Sequence, residues 1–211
     1  MWMQQDVIVI GPEAPATEAA ELMAKRRIRR LPVIEHLSRG PYLVGMVSAR
    51  DIFHAFPPDV NPFAVITPET ARTKVTVGEI MSRYLVTTTP ETPIEQAAVA
   101  MREAKIGALP VLRNQNLVGL ITESDIFRAF VSILVAGSGG IRVTFDMSKG
   151  EDVFGFIAAT ARKHKVNVVS LFSSQQDNQP VCVVRLTGGA IDDLLEDLWS
   201  SNHTVLNVIH F

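Results

Sequence analysis

Gly45-Met46-Val47-Ser48-Ala49-Arg50-Asp51-Ile52-Phe53 returns later in the chain as Gly119-Leu120-Ile121-Thr122-Glu123-Ser124-Asp125-Ile126-Phe127. Both read Gly-x-x-[Ser/Thr]-x-x-Asp-Ile-Phe, and the likeness spreads outward from them. Leu31-Pro32-Val33 matches Leu109-Pro110-Val111, Ala19-Ala20 matches Ala97-Ala98, and Pro12-Glu13 matches Pro90-Glu91. Residues 2–56 and 80–130 therefore align as two copies of one unit, the first carrying an insertion of about four residues between Glu35 and Leu43. A duplicated unit of this size buries its apolar face against its copy, so any cleft it forms occurs in two related versions. A binding module is the first expectation.

Periodicity changes in the same order within each copy. Asp6 to Ile10 and Leu85 to Thr89 are short and rich in β-branched residues, and they read as strands ending at Gly11-Pro12 or Pro90. Thr17 to Arg27 and Ile94 to Lys105 carry apolar residues at helical spacing. Two further strands follow, at Leu31-Pro32-Val33-Ile34 and Leu43 to Val47, and then a helix from Ala49 to Phe56. The second copy repeats this through Leu109 to Leu112, Leu117 to Ile121 and a helix from Glu123 to about Leu134.

The proline-rich stretch from Pro57 to Pro68 cannot be the interior of an element and reads as a linker, and Ala136-Gly137-Ser138-Gly139-Gly140 reads as a second, flexible one. The expected division is a first repeat over 1–56, a linker over 57–75, a second repeat over 76–135, a linker over 136–140 and a separate domain over 141–211. That last segment reads as a strand at Ile141 to Phe145, a helix at Asp152 to Lys165 and a strand at Val166 to Phe172. A turn at Gln175 to Pro180 leads to a strand at Val181 to Leu186, a helix at Ile191 to Ser200 and a strand at Thr204 to Ile209. The order is βαββαβ, the ferredoxin-like arrangement, and the fold class expected for the whole chain is α+β.

Composition bounds the function. With 211 residues, 47% of them apolar, and a formal charge of −2, the chain is globular and has no general affinity for nucleic acid. No apolar run is long enough to span a membrane, the N-terminus does not read as a signal peptide, and the lone Cys182 has neither a disulfide partner nor a metal-ligand spacing. A cytoplasmic location is expected. His36, His54, His164, His203 and His210 show no metal-binding spacing, and Asp192-Asp193 with Glu196-Asp197 fit the exposed first turn and face of a helix. No catalytic residue, catalytic cofactor or metal site is expected, and the chain is not read as an enzyme.

The Gly-x-x-[Ser/Thr]-x-x-Asp stretch places Ser48 or Thr122 at a helix N-cap, with Asp51 or Asp125 one turn in. The free N–H groups and hydroxyl there suit a phosphate. The same spacing is a near match to a capping box, in which the carboxylate only satisfies the helix end. Ahead of Leu31-Pro32-Val33 stand Arg29 and Arg30, whose planar guanidinium groups match phosphate oxygens, while the equivalent positions are Gly107 and Ala108. Either these arginines enter a cleft, together with Arg50, or they form a solvated basic face at a helix C-terminus; Lys25, Arg26 and Arg27 fit the second description.

On the two Leu-Pro-Val strands, the two repeated endings and Val77-Gly78-Glu79-Ile80-Met81, the repeats resemble a tandem pair of CBS domains, β-α-β-β-α modules that pair around a cleft. Residues 141–211 resemble an ACT domain on Gly150 and Val166-Asn167-Val168-Val169, although Met147-Ser148-Lys149-Gly150 departs from the usual Asp-x-Pro-Gly turn. The combination is similar to the acetoin-utilisation protein family. The resemblance implies a regulatory protein that binds AMP, ADP or ATP in the cleft of the pair and transmits occupancy as a conformational change. It assigns Asp51 and Asp125 to ribose hydroxyls, with Ser48 and Thr122 beside them, and Arg29, Arg30 and Arg50 to phosphates. The adenine edge goes to the strands around Ile10, Pro12, Thr88 and Pro90, and Pro32, Ala108 and Pro110 are expected among the ligand-binding residues. It further implies a homodimer and an amino acid or other small effector at the tail. The competing reading is a ligand-free oligomerisation or interaction scaffold. The second copy opens with Val77 to Met81, whereas the first begins at Trp2-Met3 with no equivalent stretch ahead of it.

Overall fold

The computed structural model describes residues 2–37, 40–57, 60–63, 74–134 and 139–211. Most of both expected linkers lies outside these residues. The chain divides into two compact units, Met1–Arg128 and Ala129–Phe211.

In the first unit, α1 (Ala16–Arg26) and α4 (Ile94–Ala104) are the equivalent helices of the two copies. Each follows a proline, Pro15 or Pro93, at the N-cap and ends on a residue in the left-handed conformation, Arg27 or Lys105, both at φ 54°. Ala16, Ala19, Ala20 and Met23 recur at helical spacing on α1 and are wholly buried, as are Ala97 and Met101 on α4. The hairpin of β1 (Arg30–Leu37) and β2 (Gly40–Ser48) has its counterpart in β3 (Ala108–Arg113) and β4 (Asn116–Thr122), and the register slips at the same place in each, after Val33 and after Val111. The helices α2 (Ala49–Ala55) and α5 (Glu123–Leu134), the latter within this unit as far as Arg128, complete the copies, and the short α3 (Val77–Ile80) precedes the second.

The stretches expected as strands over Asp6 to Ile10 and Leu85 to Thr89 are extended chain, each with a single bridging residue. Ile10 N–H donates to Pro32 O at 3.1 Å and Ile34 N–H donates to Ile10 O at 2.9 Å; Thr88 is held between Pro110 O and Leu112 N in the same way, at 3.0 and 2.8 Å. A parallel ladder continuing in one direction would need an N–H from Pro32 or Pro110, and in the other from Pro12 or Pro90. None of these prolines has one, so four prolines confine the pairing to one residue per copy.

The copies exchange their leading segments. Met46 and Ser82 trade two backbone hydrogen bonds of 3.0 and 2.8 Å, and Gln4 and Leu120 trade two of 2.9 Å. Val77 and Met81, which open the second copy in sequence, lie in the core of the first, while Met3 packs against the core of the second. Trp2-Met3-Gln4 therefore does for one copy what Met81-Ser82 does for the other.

In the second unit, β5 (Ile141–Asp146), β6 (Asn167–Gln176), β7 (Gln179–Thr187) and β8 (Val205–His210) form one antiparallel sheet in the order β6-β7-β5-β8, with α6 (Val153–Lys163) and α7 (Ile191–Ser200) in the connections. This is the βαββαβ, ferredoxin-like topology. Ile141, Val143 and Phe145 share a core with Cys182, Val184 and Leu186 of β7 and with Ile157 and Leu194 of the helices. Burial there pushes the Cys182 thiol up. The broad turn expected over Gln175 to Pro180 is a tight two-residue hairpin, Asp177-Asn178, with φ of 50° and 65°.

Candidate functional site

Two clefts occupy equivalent places in the first unit. The larger, of 590 Å³, is lined by Arg29, Arg30, Ser48, Arg50 and Asp51 from the first copy and by Ser82, Tyr84, Leu85, Val86, Lys105, Ile106, Ala108 and Pro110 from the second, with Met46, Val47 and Phe53 completing its wall. The smaller, of 270 Å³, is lined by the equivalent set, including Gln4, Asp6, Val7, Ile8, Arg27, Ile28, Thr122 and Glu123, and again by Arg29 and Arg30. Ligand pockets run from roughly 300 to 1,000 Å³, a range the larger cleft meets and the smaller does not.

Charge separates the clefts further. Four cations and one carboxylate line the larger, against three cations and the two carboxylates Asp6 and Glu123 in the smaller. Among the described residues, Arg29, Arg50 and Lys105 form no ion pair within 4.0 Å. Repeat one supplies most of this positive charge, but repeat two contributes Lys105, which the sequence reading passed over. The signal was available: Lys105 aligns with Arg27, and both end a helix in the left-handed conformation.

The two Gly-x-x-[Ser/Thr]-x-x-Asp stretches form full capping boxes. Asp51 Oδ2 accepts from Ser48 N–H at 2.7 Å and Ser48 Oγ–H at 2.6 Å, while Ser48 Oγ accepts from Asp51 N–H at 3.3 Å. Thr122 and Asp125 repeat this at 2.9, 2.6 and 3.3 Å. Their surroundings differ. Asp51 lines the larger cleft, with its Oδ1 outside the capping bonds. Asp125 is 1% exposed and lines neither cleft, and its Oδ1 lies 3.3 Å from Arg128 Nη2 without forming a hydrogen bond.

The structure thus gathers Arg29, Arg30, Ser48, Arg50, Asp51, Ala108 and Pro110 in one cleft and Thr122 in the other. It separates the rest. Ile10 is core, and its backbone groups, like those of Thr88, are spent on the single bridge. Pro12 borders a cavity beside Gly78 and Glu79, Thr88 and Pro90 border a 110 Å³ cavity under Trp2, and Pro32 is buried within β1. The chain that reaches the clefts lies two residues earlier, at Val86 and Ile8, whose carbonyls receive nothing from Pro110 and Pro32 because proline has no N–H to give.

The CBS domain family model matches residues 1–58 and 77–132. The CBS domain-containing protein YhcV of Bacillus subtilis is 31% identical over 137 residues, which are 64% of this chain and 87% of that protein. The structure of AcuB from Vibrio cholerae, a protein assigned to acetoin utilization, is similar with a TM-score of 0.51 and 25% identity, covering 64% of this chain and 90% of its own. A homoserine O-acetyltransferase from Methanohalobium evestigatum is 32% identical over 127 residues, 60% of this chain but 22% of the enzyme, so the chain spans about a fifth of that relative's length. With both copies matched over more than half of its length, the chain belongs to the CBS-domain family.

Proposed function

We propose that this chain is a regulatory protein whose CBS pair binds an adenine nucleotide, AMP, ADP or ATP, in the larger cleft and transmits its occupancy as a conformational change. The observation that carries this reading is the excess of cations around 590 Å³ of space, with Arg29, Arg50 and Lys105 lacking any acidic partner among the described residues. Guanidinium and ammonium groups in that state suit phosphate oxygens. Val86 and Ile106 offer apolar faces to a base, with the Val86 carbonyl an acceptor for its edge, and Asp51 Oδ1 can accept a ribose hydroxyl while Oδ2 keeps the helix capped. Capping and ligand roles are thereby compatible at Asp51. Ligand that touches both copies shifts the population toward whichever arrangement of the pair it binds more tightly.

For the second unit the reading is an ACT-like domain that pairs chains into a homodimer or takes an amino acid or other small effector near Asp146 to Glu151. Its βαββαβ order supports this, as does the ordered turn in which Asp146 Oδ1 accepts from Ser148 N–H at 2.7 Å. A cytoplasmic location and a connection with acetoin metabolism belong to the same reading. Among the described residues, no helix is long and apolar enough to cross a membrane.

Thermal-shift and calorimetric titrations with adenosine, AMP, ADP, ATP, S-adenosylmethionine and NAD test the nucleotide. A preference for phosphorylated ligands over adenosine that disappears in the double variant Arg29→Ala/Arg30→Ala is the expected result. Equal losses for adenosine and nucleotide would assign the arginines to packing, and no response to any ligand would leave a scaffold. Light scattering on the full chain tests the homodimer, and a monomer at micromolar concentration would end it.

A further inference from the structure

The two clefts meet at Arg30, which lines both. Its guanidinium lies over Gly107, where a Cβ would strike both Arg30 Nη2 and the Glu123 carboxylate, and Nη2 stands 3.9 Å from Glu123 Oε2. The repeat explains how this junction arose on one side alone. Gly107 is the counterpart of Arg29, and its missing side chain leaves the room that Arg30 fills; Ala108 is the counterpart of Arg30 and sends nothing back. At the following helix, Ala49 is the counterpart of Glu123 and Arg50 that of Ser124, so the acid falls in the smaller cleft and an extra cation in the larger.

We propose that Glu123 is a built-in counterion for Arg30, which draws this arginine toward the smaller cleft and sets the affinity of the larger one for a phosphate chain. The inference rests on the nucleotide reading of the larger cleft. A guanidinium held toward the Glu123 carboxylate is less available to the ligand, and a polyanion in the larger cleft must compete for it. The acid also takes the place of an anion beside Arg30 in the smaller cleft, so the chain binds one nucleotide. The pair is partly exposed, with side-chain exposures of 30% and 64%, so the competition is modest.

Calorimetry on the full chain with ATP, adenosine and inorganic pyrophosphate tests this with five proteins: wild type, Glu123→Gln, Arg30→Gln, the double variant of these two and Asp6→Asn. Glu123→Gln is expected to tighten ATP and pyrophosphate by about two- to five-fold and to leave adenosine unchanged. That gain should vanish in the Arg30→Gln background, because it acts through Arg30. Asp6→Asn, which removes the smaller cleft's other carboxylate, should give no such gain. The same gain with and without Arg30, or an equal gain from Asp6→Asn, would mean a diffuse charge effect and overturn the proposal. Unchanged affinities in Glu123→Gln while ATP still binds would also overturn it and leave the nucleotide reading standing. If no nucleotide binds but pyrophosphate responds through Arg30, the nucleotide reading falls and the counterion role is upheld; if pyrophosphate is also unaffected, both fall. Two ATP molecules per wild-type chain would overturn the single-site assignment.

Discussion

Gly45 faces the thioether of Met81 so closely that a Cβ on the glycine would overlap the Met81 sulfur and come within 3.2 Å of the Ser82 carbonyl oxygen. Gly119 stands in the same relation to Met3 and to the carbonyl of Gln4, at 3.0 Å. The glycine that opens each repeated stretch is thus the seat for the other copy's leading methionine. Gly45→Ala and Gly119→Ala should each destabilise the first unit by about 1–3 kcal/mol, through overpacking against backbone as well as sulfur. Chemical denaturation measures this, and Met81→Ala in the Gly45→Ala background should cost less than the sum of the two single changes. Simple additivity would show that the two residues do not press on each other.

The aspartates of the two capping boxes should behave differently from one another. Asp51→Asn is expected to weaken nucleotide binding by about 1.5–3 kcal/mol, through loss of a charge-assisted hydrogen bond, while Asp125→Asn leaves affinity in the larger cleft unchanged. Both should lower the melting temperature, with about 0.5–1 kcal/mol lost from each weakened cap. Equal effects on affinity would mean that Asp125 reaches a ligand.

Asn114 and Gln115 join β3 to β4 with φ of 49° and 67°, both left-handed. Glutamine gains no local hydrogen bond there that would offset the crowding of its Cβ, whereas glycine has no Cβ to crowd. Gln115→Gly should raise the stability of the first unit by about 0.5–1 kcal/mol, read from the denaturation midpoint, and a loss would show that the Gln115 side chain packs favourably.

Asp197 on α7 receives two hydrogen bonds from the end of α6, from Lys163 Nζ at 2.6 Å and His164 Nε2 at 2.7 Å. These hold its carboxyl below the usual range. A carboxylate lowered in the folded state binds fewer protons there than in the unfolded chain, so its stabilisation is present above roughly pH 4 and is lost as the pH falls through the lower folded value. Acid titration of unfolding should therefore show a shallower decline below about pH 4 in Asp197→Asn than in the wild type. An identical slope would remove Asp197 from the acid response.

Much of the fold could be read directly from residue pattern. The pairs Leu31-Pro32-Val33 and Leu109-Pro110-Val111 announced the duplication, and apolar spacing located α1 and α4 to within a residue or two at each end. The expected strands at Asp6 to Ile10 and Leu85 to Thr89 failed because a strand also needs backbone donors across from it. That depends on which residue faces which, and the facing residues proved to be prolines.

What the sequence determined by itself was the repeated α+β unit, the βαββαβ order of the tail and the residue types able to meet a phosphate, since these follow from local periodicity and side-chain chemistry. The tertiary structure alone decided which copy's residues share a cleft. The leading segments cross between copies, so that Ser82, Tyr84 and Val86 face Ser48 and Asp51, and one-residue differences between the repeats give one cleft Arg50 and the other Glu123. The physical reason is that a repeat specifies a local conformation twice, whereas charge and volume at a cleft depend on contacts between residues far apart in the chain. At Arg30 a single side chain, given room by a glycine in the other copy, belongs to both clefts at once.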